Sequence, residues 1–590
     1  MIYRKFIWVS YFVLLALAVP LQTHAYSDNN NDVLRKYVNL DDGMFSYQQV
    51  LSIPQSGFSV HVYKLTSQKW RSDSEVDRTI WEHRLTVVVP DNISSDTAIL
   101  FIFGDKNNAG FLNPDPDIIQ TLGTFAMLSG SVAAAVSQVP NQPLLFLDEP
   151  STGRSEDSLV AYSWDTAMGS NDYTWAAYVP MTKSVVKAMD AVQAAANDLQ
   201  LNVRPKKFTL VGFSKRGAIT WLTAAVDDRV RAIAPGVFDT LHFAPSVENQ
   251  RETYGKFAPS LRVYDERNVL DRFRTDEGRQ LIETVDPFEY RGSIAIPKYI
   301  MNATGDEFYP PDSSLFYINQ LPGETLLRYL PNTDHSGSNG GLENAIFGLL
   351  AWYQRIVLNV PRPTLNWKLD QASNHLSVTV SDPSATALLW SAHNPDARDF
   401  RLETFGPNWT ATPLSFNPDG TLDAALQIPE NGWTASFIQV TLNGIAGFPE
   451  TYSTPVYILP DARPYTLDQP RNDPRQKDYW LDTLSSIVNG ETENQALVES
   501  FPIRAISDVS IANIDDAYTL LAKSHPDRMS KAQQECLVTR LNIKDNRIDW
   551  YSHRNAYHSA YLWSLWNIAN ALYRARLYTL SEFVCATLIH

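Results

Sequence analysis

The chain reads as an α/β protein, with a sheet of buried strands crossed by helices, then a smaller all-β part and a helical tail. Three observations predict this. Between 81 and 360, runs of small apolar residues alternate with helical stripes. Between 364 and 459, short alternating strands such as "HLSVTVSD", "ALLWSA" and "FIQVTLNG" are punctuated by Gly, Pro and Asn. After 478 the pattern is helical, with Asn513 and Ser530 as N-caps.

Taken in order, residues 1–25 carry the marks of a signal peptide. "MIYRK" supplies two cations, "FIWVSYFVLLALAV" an apolar run, and "LQTHA" places Thr23 and Ala25 before a cleavage site at Tyr26. An exported protein, periplasmic or extracellular, is expected, with no stable membrane insertion once the signal is removed. A membrane anchor is the alternative reading of the same run. Residues 26–80 read as a polar N-terminal lead-in.

Strands are expected at "RLTVVVP" (84–90), "TAILFIFG" (97–104), "SVAAAVS" (131–137), "KKFTLVG" (206–212), "RAIAPGVF" (231–238), "IPKYIMNATG" (296–305) and "TLLRYLP" (325–331). Continuous apolar runs of this kind suit strands buried on both faces. "MTKSVVKAMDAVQAAAND" carries a helical stripe at Val185, Met189, Val192 and Ala196. "VPRPTLNWKL" marks a boundary near 360, so the β part spans 361–460. Residues 461–478, rich in proline and charge, read as a linker, and 479–590 as the helical region.

With 590 residues, one core is insufficient. A hydrophobic content of 44% and a charged content of 19% indicate a folded protein. A net charge of −16 disfavours nucleic acid as the partner. Cys536 and Cys585 suggest one disulfide in an exported chain, with two buried thiols as the alternative. Neither cysteine has a ligand-like neighbour, and His553 and His558 are five apart, off the spacing that places two ligands on one helix face. No metal and no cofactor are expected, and the protein is expected to be a monomer. Tyr557, Tyr561, Trp563 and Trp566 form an aromatic helix face, read as core or interface packing.

The chemistry centres on "VGFSKRGAIT", Val211–Thr220. A strand, Ser214 with Gly212 two before it, and then a helix match a nucleophile elbow, the sharp strand–turn–helix of an α/β-hydrolase. Arg216 occupies the usual second-glycine position and Gly217 follows one later. A serine at an ordinary helix N-cap would look similar. That fold orders its triad Ser, acid, His. Asp306 follows a strand in a Gly-Asp turn and His335 follows the next strand in "LPNTDHSG". Glu307 and Asp239 are alternative acids, and Asp334 reads as a solvated loop residue. Lys215 would supply one oxyanion N–H, and Lys106 or Asn107 in "FGDKNNAG" the other. Lys215 and Arg216 either attract an anionic substrate or pair with local carboxylates.

Together with "WAAYVPMTKSVVKAMDAVQ", "EDSLVAYSWD" and "GDEFYPPDSSLFY", these stretches resemble the PhoPQ-activated pathogenicity-related protein family over roughly 35–460. The resemblance implies an α/β-hydrolase fold followed by a small all-β, sandwich-like domain. It places the family's serine, acid and histidine on Ser214, Asp306 and His335. Ala218 stands where an aromatic residue is common, and the helical C-terminal region has no place in the family pattern. The family name records regulation and virulence and supplies no settled substrate.

The polar stretch 146–164 is expected to form a pocket wall or lid. Within or beside it, Asp148, Glu149, Arg154, Glu156, Asp157 and, with Arg216, the cations at the elbow are candidates for substrate contact. Trp164 and Trp175 are candidates for a sugar or aromatic subsite. The expected activity is a serine hydrolase acting on an ester or, less favoured, an amide. The competing expectation is a non-catalytic secreted binding or signalling protein on a hydrolase scaffold. Sequons at Asn92, Asn302 and Asn408 matter only in a glycosylating host.

Overall fold

The computed structural model describes residues 32–107, 114–150, 153–382, 384–466, 503–506 and 509–511. The expectations for the signal peptide, the two cysteines, the aromatic helix and His553 and His558 lie outside those residues. Within the expected helical tail, the described elements are two short antiparallel strands, Ile503–Ile506 and Val509–Ile511.

The first strands are β1 (Ser46–Pro54), β2 (Phe58–Lys69), β3 (Ile80–Pro90), β4 (Thr97–Ile102) and β5 (Ala133–Val136). Two-residue strands β6 (Leu144–Leu145) and β7 (Gly153–Arg154) pair with each other. The main sheet continues with β8 (Lys207–Phe213), β9 (Val230–Gly236), β10 (Lys298–Ala303) and β11 (Thr325–Leu330). Its order is β1-β2-β3-β5-β4-β8-β9-β10-β11. From β5 to β11 every pairing is parallel, while β1, β2 and β3 are antiparallel. This is the strand order of the α/β-hydrolase fold with one additional edge strand.

Strand periodicity divides the apolar residues between two cores. On β4, Ala98, Leu100 and Ile102 face one and Ile99 and Phe101 the other. The first core is closed by α1 (Val33–Asn39), α3 (Glu156–Ser170), α4 (Tyr178–Asp198) and α5 (Lys215–Val226), the second by α2 (Pro116–Ser129) and α9 (Gly341–Val357). Between β9 and β10 the chain inserts α6 (Phe243–Tyr254), the single turn α7 (Arg262–Asp265) and α8 (Asp276–Val285). Residues 26–80 are therefore more than a lead-in: α1 packs on the helical layer, where Arg35 donates to the Ala225 carbonyl at 2.7 Å, and β1 and β2 extend the sheet.

The all-β part has two antiparallel sheets. One is β12 (Leu365–Asp370), β13 (His375–Val380) and β16 (Thr421–Ala425). The other is β14 (Thr386–Asn394), β15 (Thr410–Leu414), β17 (Trp433–Asn443), β18 (Pro449–Ser453) and β19 (Tyr457–Leu459). Leu376, Val378 and Leu422 of the first sheet share a core with Ile438 and Val440 of the second, as a sandwich requires. The sequon at Asn302 is unusable, because that side chain is buried in β10 and donates to the Tyr317 hydroxyl. Among the described residues no helix is long and apolar enough to cross a membrane.

The β part is bonded to the hydrolase-like part at its business end. Asn332 and Trp409 exchange two hydrogen bonds, Nδ2 to the Trp409 carbonyl at 3.0 Å and the Trp409 N–H to Oδ1 at 2.9 Å. The Leu402 N–H donates to the Gly305 carbonyl at 2.9 Å. Arg398, fully enclosed, pairs with buried Asp312 at 2.6 Å and donates to Thr253. Removing one partner of such a pair strands the other charge in an apolar setting. Arg398→Ala should therefore cost ~3 kcal/mol or more of unfolding free energy, read by chemical denaturation, whereas Arg401→Ala, a partly exposed neighbour, should cost clearly less.

Candidate active site

The elbow follows from backbone crowding. Ser214 sits at φ 56°, ψ −129°, a conformation that side-chain-bearing residues rarely adopt. Its N–H donates to the Gly236 carbonyl at 2.8 Å, tying the turn to β9. A Cβ at Gly212 would collide with the Arg216 carbonyl, and one at Gly217 would lie 3.0 Å from the Gly236 carbonyl. The helix thus approaches the strands at 212 and 217, which is why position 216 tolerates a long side chain.

Ser214 follows β8, Asp306 follows β10 and His335 follows β11, all at the carboxyl ends of parallel strands, where ligands bind in open α/β sheets. The three side chains form one hydrogen-bonded line. Ser214 Oγ is 2.7 Å from His335 Nε2, and His335 Nδ1 is 2.8 Å from Asp306 Oδ2. A carboxylate only accepts, so the ring proton sits on Nδ1 and Nε2 is left to accept from the serine hydroxyl. Asp306 is buried, and its second oxygen accepts from the Phe308 N–H at 2.8 Å. Burial lowers the pKa of His335, but the charge and hydrogen bond of Asp306 outweigh it and hold the imidazole above its ordinary value.

The other acids have other partners. Glu307 accepts the His335 backbone N–H at 3.0 Å, fixing the loop that presents the ring. Asp239, after β9, receives the Tyr317 hydroxyl at 2.6 Å and the Tyr329 hydroxyl at 2.5 Å. Burial pushes its pKa up to about 8. Asp334 caps its own turn, accepting from the backbone of Ser336 and Ser338.

The cations of the elbow are structural. Arg216, 8% exposed, makes a two-pronged pair with Glu156 at 2.7 Å on each arm and donates to the Val139 carbonyl. Lys215 Nζ lies 2.9 Å from Asp157 and 3.2 Å from Glu156. Burial raises the Glu156 pKa, but Arg216 and Lys215 outweigh that and bring it to about 2.

Of the expected oxyanion donors, the Lys215 N–H opens α5, where helical geometry leaves it without an intrahelical acceptor. The Lys106 N–H instead donates to its neighbour Asp105 at 2.7 Å, and the Asn107 N–H donates to the Gln142 carbonyl at 2.6 Å. Both amides are committed in this arrangement.

A cavity opens beside Ser214, and Trp164 lines it. Asp157 lines it too, its carboxylate paired with Lys215, and the remaining expected contacts lie elsewhere. Glu149 and Arg154 pair with each other, and Glu149 also holds Arg267 at 2.9 Å. Trp175 packs edge-on against Trp70 and under Arg71. Arg216 is consumed by Glu156. Among the described residues, stretch 146–164 therefore supplies one wall, through α3. The roof comes from the insertion after β9, with Phe243, Leu261, Tyr264 and Phe273, residues whose local pattern is that of ordinary amphipathic helices. Phe308, tilted against the imidazole with ring centres 4.4 Å apart, is a further neighbour that the pattern did not single out.

The family model described as PhoPQ-activated pathogenicity-related protein matches residues 34–401. Autocrine proliferation repressor protein A of Dictyostelium discoideum is 30% identical over 478 residues, 77% of this chain and 94% of that protein. Among solved structures, acetyl xylan esterase 1 of Thermoanaerobacterium sp. is similar at 14% identity and TM-score 0.37, over 54% of this chain and 92% of that one. Acylaminoacyl peptidase of Pyrococcus horikoshii is similar at 12% identity and TM-score 0.33, over 55% and 57%.

Two outcomes are expected. Gly212→Ala should lower the melting temperature and misplace the elbow, because backbone cannot yield cheaply to the new methyl. Glu156→Gln leaves buried Arg216 without its carboxylate; the carboxylate is partly solvated, so the cost is only ~1–2 kcal/mol. Because folding depresses the Glu156 pKa from 4.5 to about 2, that stabilisation is complete above the unfolded value and disappears as pH falls towards 2. Melting curves of wild type and variant should converge over that window.

Proposed function

From a chain that belongs to the PhoPQ-activated pathogenicity-related protein family, we propose an exported serine hydrolase that cleaves carboxylic esters. The observation that carries this reading is the unbroken line from Ser214 through His335 to Asp306. The signal-like pattern of residues 1–25 supports export, and the family's name supports a link to virulence.

Ser214 Oγ attacks the ester carbonyl carbon as His335 Nε2 takes its proton. Asp306 holds the Nδ1–H tautomer and stabilises the imidazolium. The Lys215 N–H donates to the developing oxyanion, an interaction typically worth ~3 kcal/mol in the transition state. Collapse of the tetrahedral intermediate breaks the ester C–O bond, and the imidazolium protonates the departing alcohol. Water, deprotonated by His335, then repeats the attack on the acyl-enzyme and restores the serine.

The Dictyostelium relative's name favours a second reading, a secreted signalling protein that does not use Ser214. A fluorophosphonate probe separates the two. Wild type should be labelled at Ser214, Ser214→Ala should not, and ester hydrolysis should vanish with the label. Absence of labelling in folded protein would favour the second reading.

Asp306→Asn should lower kcat by about 10³–10⁴-fold. The reaction needs the neutral imidazole, so kcat/KM should fall as pH drops through the His335 pKa. That acid limb should lie above 6.5 in wild type, since Asp306 raises the ring's pKa, and should move down in Asp306→Asn, where burial is opposed only by the smaller effect of Glu307. A pH profile of both proteins checks the sign.

A further inference from the structure

The cavity beside Ser214 is mostly apolar and small. Its walls include Trp164, Phe238, Phe243, Leu261, Phe273 and Tyr309. Its volume is about 60 Å³. A cavity of about 150 Å³ holds benzene, six heavy atoms; by proportion this one holds about two or three carbons.

Several polar groups on its wall are committed to protein partners, whereas the Trp164 indole N–H, buried on the same wall, has none. Asp157 accepts from Lys215 Nζ and from the Tyr264 hydroxyl, each at 2.9 Å. Gln250 donates to the Phe308 carbonyl and accepts the Ala258 N–H. Ser246 and Ser313 donate to the carbonyls of Leu241 and Pro310.

Trp164, Phe243 and Phe273 on the cavity wall are buried, and Val247 and Leu261 half-buried. The His335 imidazole lies outside this lining and is partly open to water, with 13% of its side chain exposed. The ring must meet first the leaving alcohol and then water, so both pass on that side. The group that stays bonded to Ser214 between the two steps is the acyl chain.

We propose that this cavity receives the acyl group and restricts the enzyme to esters of short acids of about two to four carbons, with little restriction on the alcohol. The proposal rests on the hydrolytic reading above. Its limits are set by the roof residues Val247, Leu261 and Phe273 together with Trp164 on α3.

The test is two ester series on the full chain. With p-nitrophenol as the constant alcohol, kcat/KM should be highest from acetate to butyrate and about tenfold or more lower at octanoate. With acetate as the constant acid, esters of small and bulky alcohols should agree within a few-fold. Val247→Ala with Leu261→Ala trims two half-buried walls and should raise the octanoate-to-acetate ratio about tenfold. That ratio does not depend on the fraction of protein folded. A small methylphosphonofluoridate probe is run in parallel. Labelling of Ser214 with a flat acid series, or with a cut-off on the alcohol side, overturns the cavity assignment and leaves the hydrolase standing. No labelling and no hydrolysis of any ester overturns both.

Discussion

The structure turns on the conformation of one residue, Ser214, held where a residue with a side chain ordinarily does not rest. Such a conformation costs on the order of 1–3 kcal/mol and persists only when its surroundings over-determine it. Here they do. The Ser214 N–H is bound to β9, glycines at 212 and 217 let α5 press on the strands, and Arg216 anchors the first helical turn to Glu156. The hydroxyl therefore has one place to be, and the imidazole and the cavity are arranged around it.

The second constraint comes from the β part. The acid loop and the histidine loop are the last two turns of the sheet, and loops at a sheet's rim are ordinarily its least determined segments. In this chain both lean on the sandwich. Leu402 packs so closely on Gly305 that a Cβ there would lie 2.8 Å from its own. Asn332, three residues before His335, is clasped by Trp409, and Arg398 reaches under the acid loop to Asp312. The sandwich thus acts on geometry at the site without contributing a reacting atom.

The parts of this protein legible in the sequence are those governed by local pattern. Buried parallel strands write themselves as apolar runs, and Ser214, Asp306 and His335 each stand just past such a run, so their order and their common rim could be read. Contacts made at long sequence separation could not. Nothing near 243–273 signals a roof, because an amphipathic helix looks the same over a cavity as over a core. The pairing of Arg216 with Glu156 spans two distant elements, and a cation beside a serine reads equally as a substrate contact. Residues 26–80 looked like a lead-in because an edge strand exposes half its residues and lacks the continuous apolar run of a central one. Lys106 and Asn107 occupied the right loop, but which N–H points inward depends on a turn that composition does not specify.

Asp239 and Asp306 stand at the ends of adjacent strands, either one a plausible companion for an imidazole, and the fold distinguishes them by their neighbours. Complete burial pushes the Asp239 pKa up to about 8 against the pull of two tyrosine hydroxyls, whose hydrogen bonds favour the anion. A second fixed anion there would pull on the same ring and make the histidine reluctant to release its proton. With that carboxyl uncharged, Asp306 remains the one acid hydrogen-bonded to the imidazole ring among the described residues, and its charge, helped by Glu307, sets how tightly the ring holds a proton.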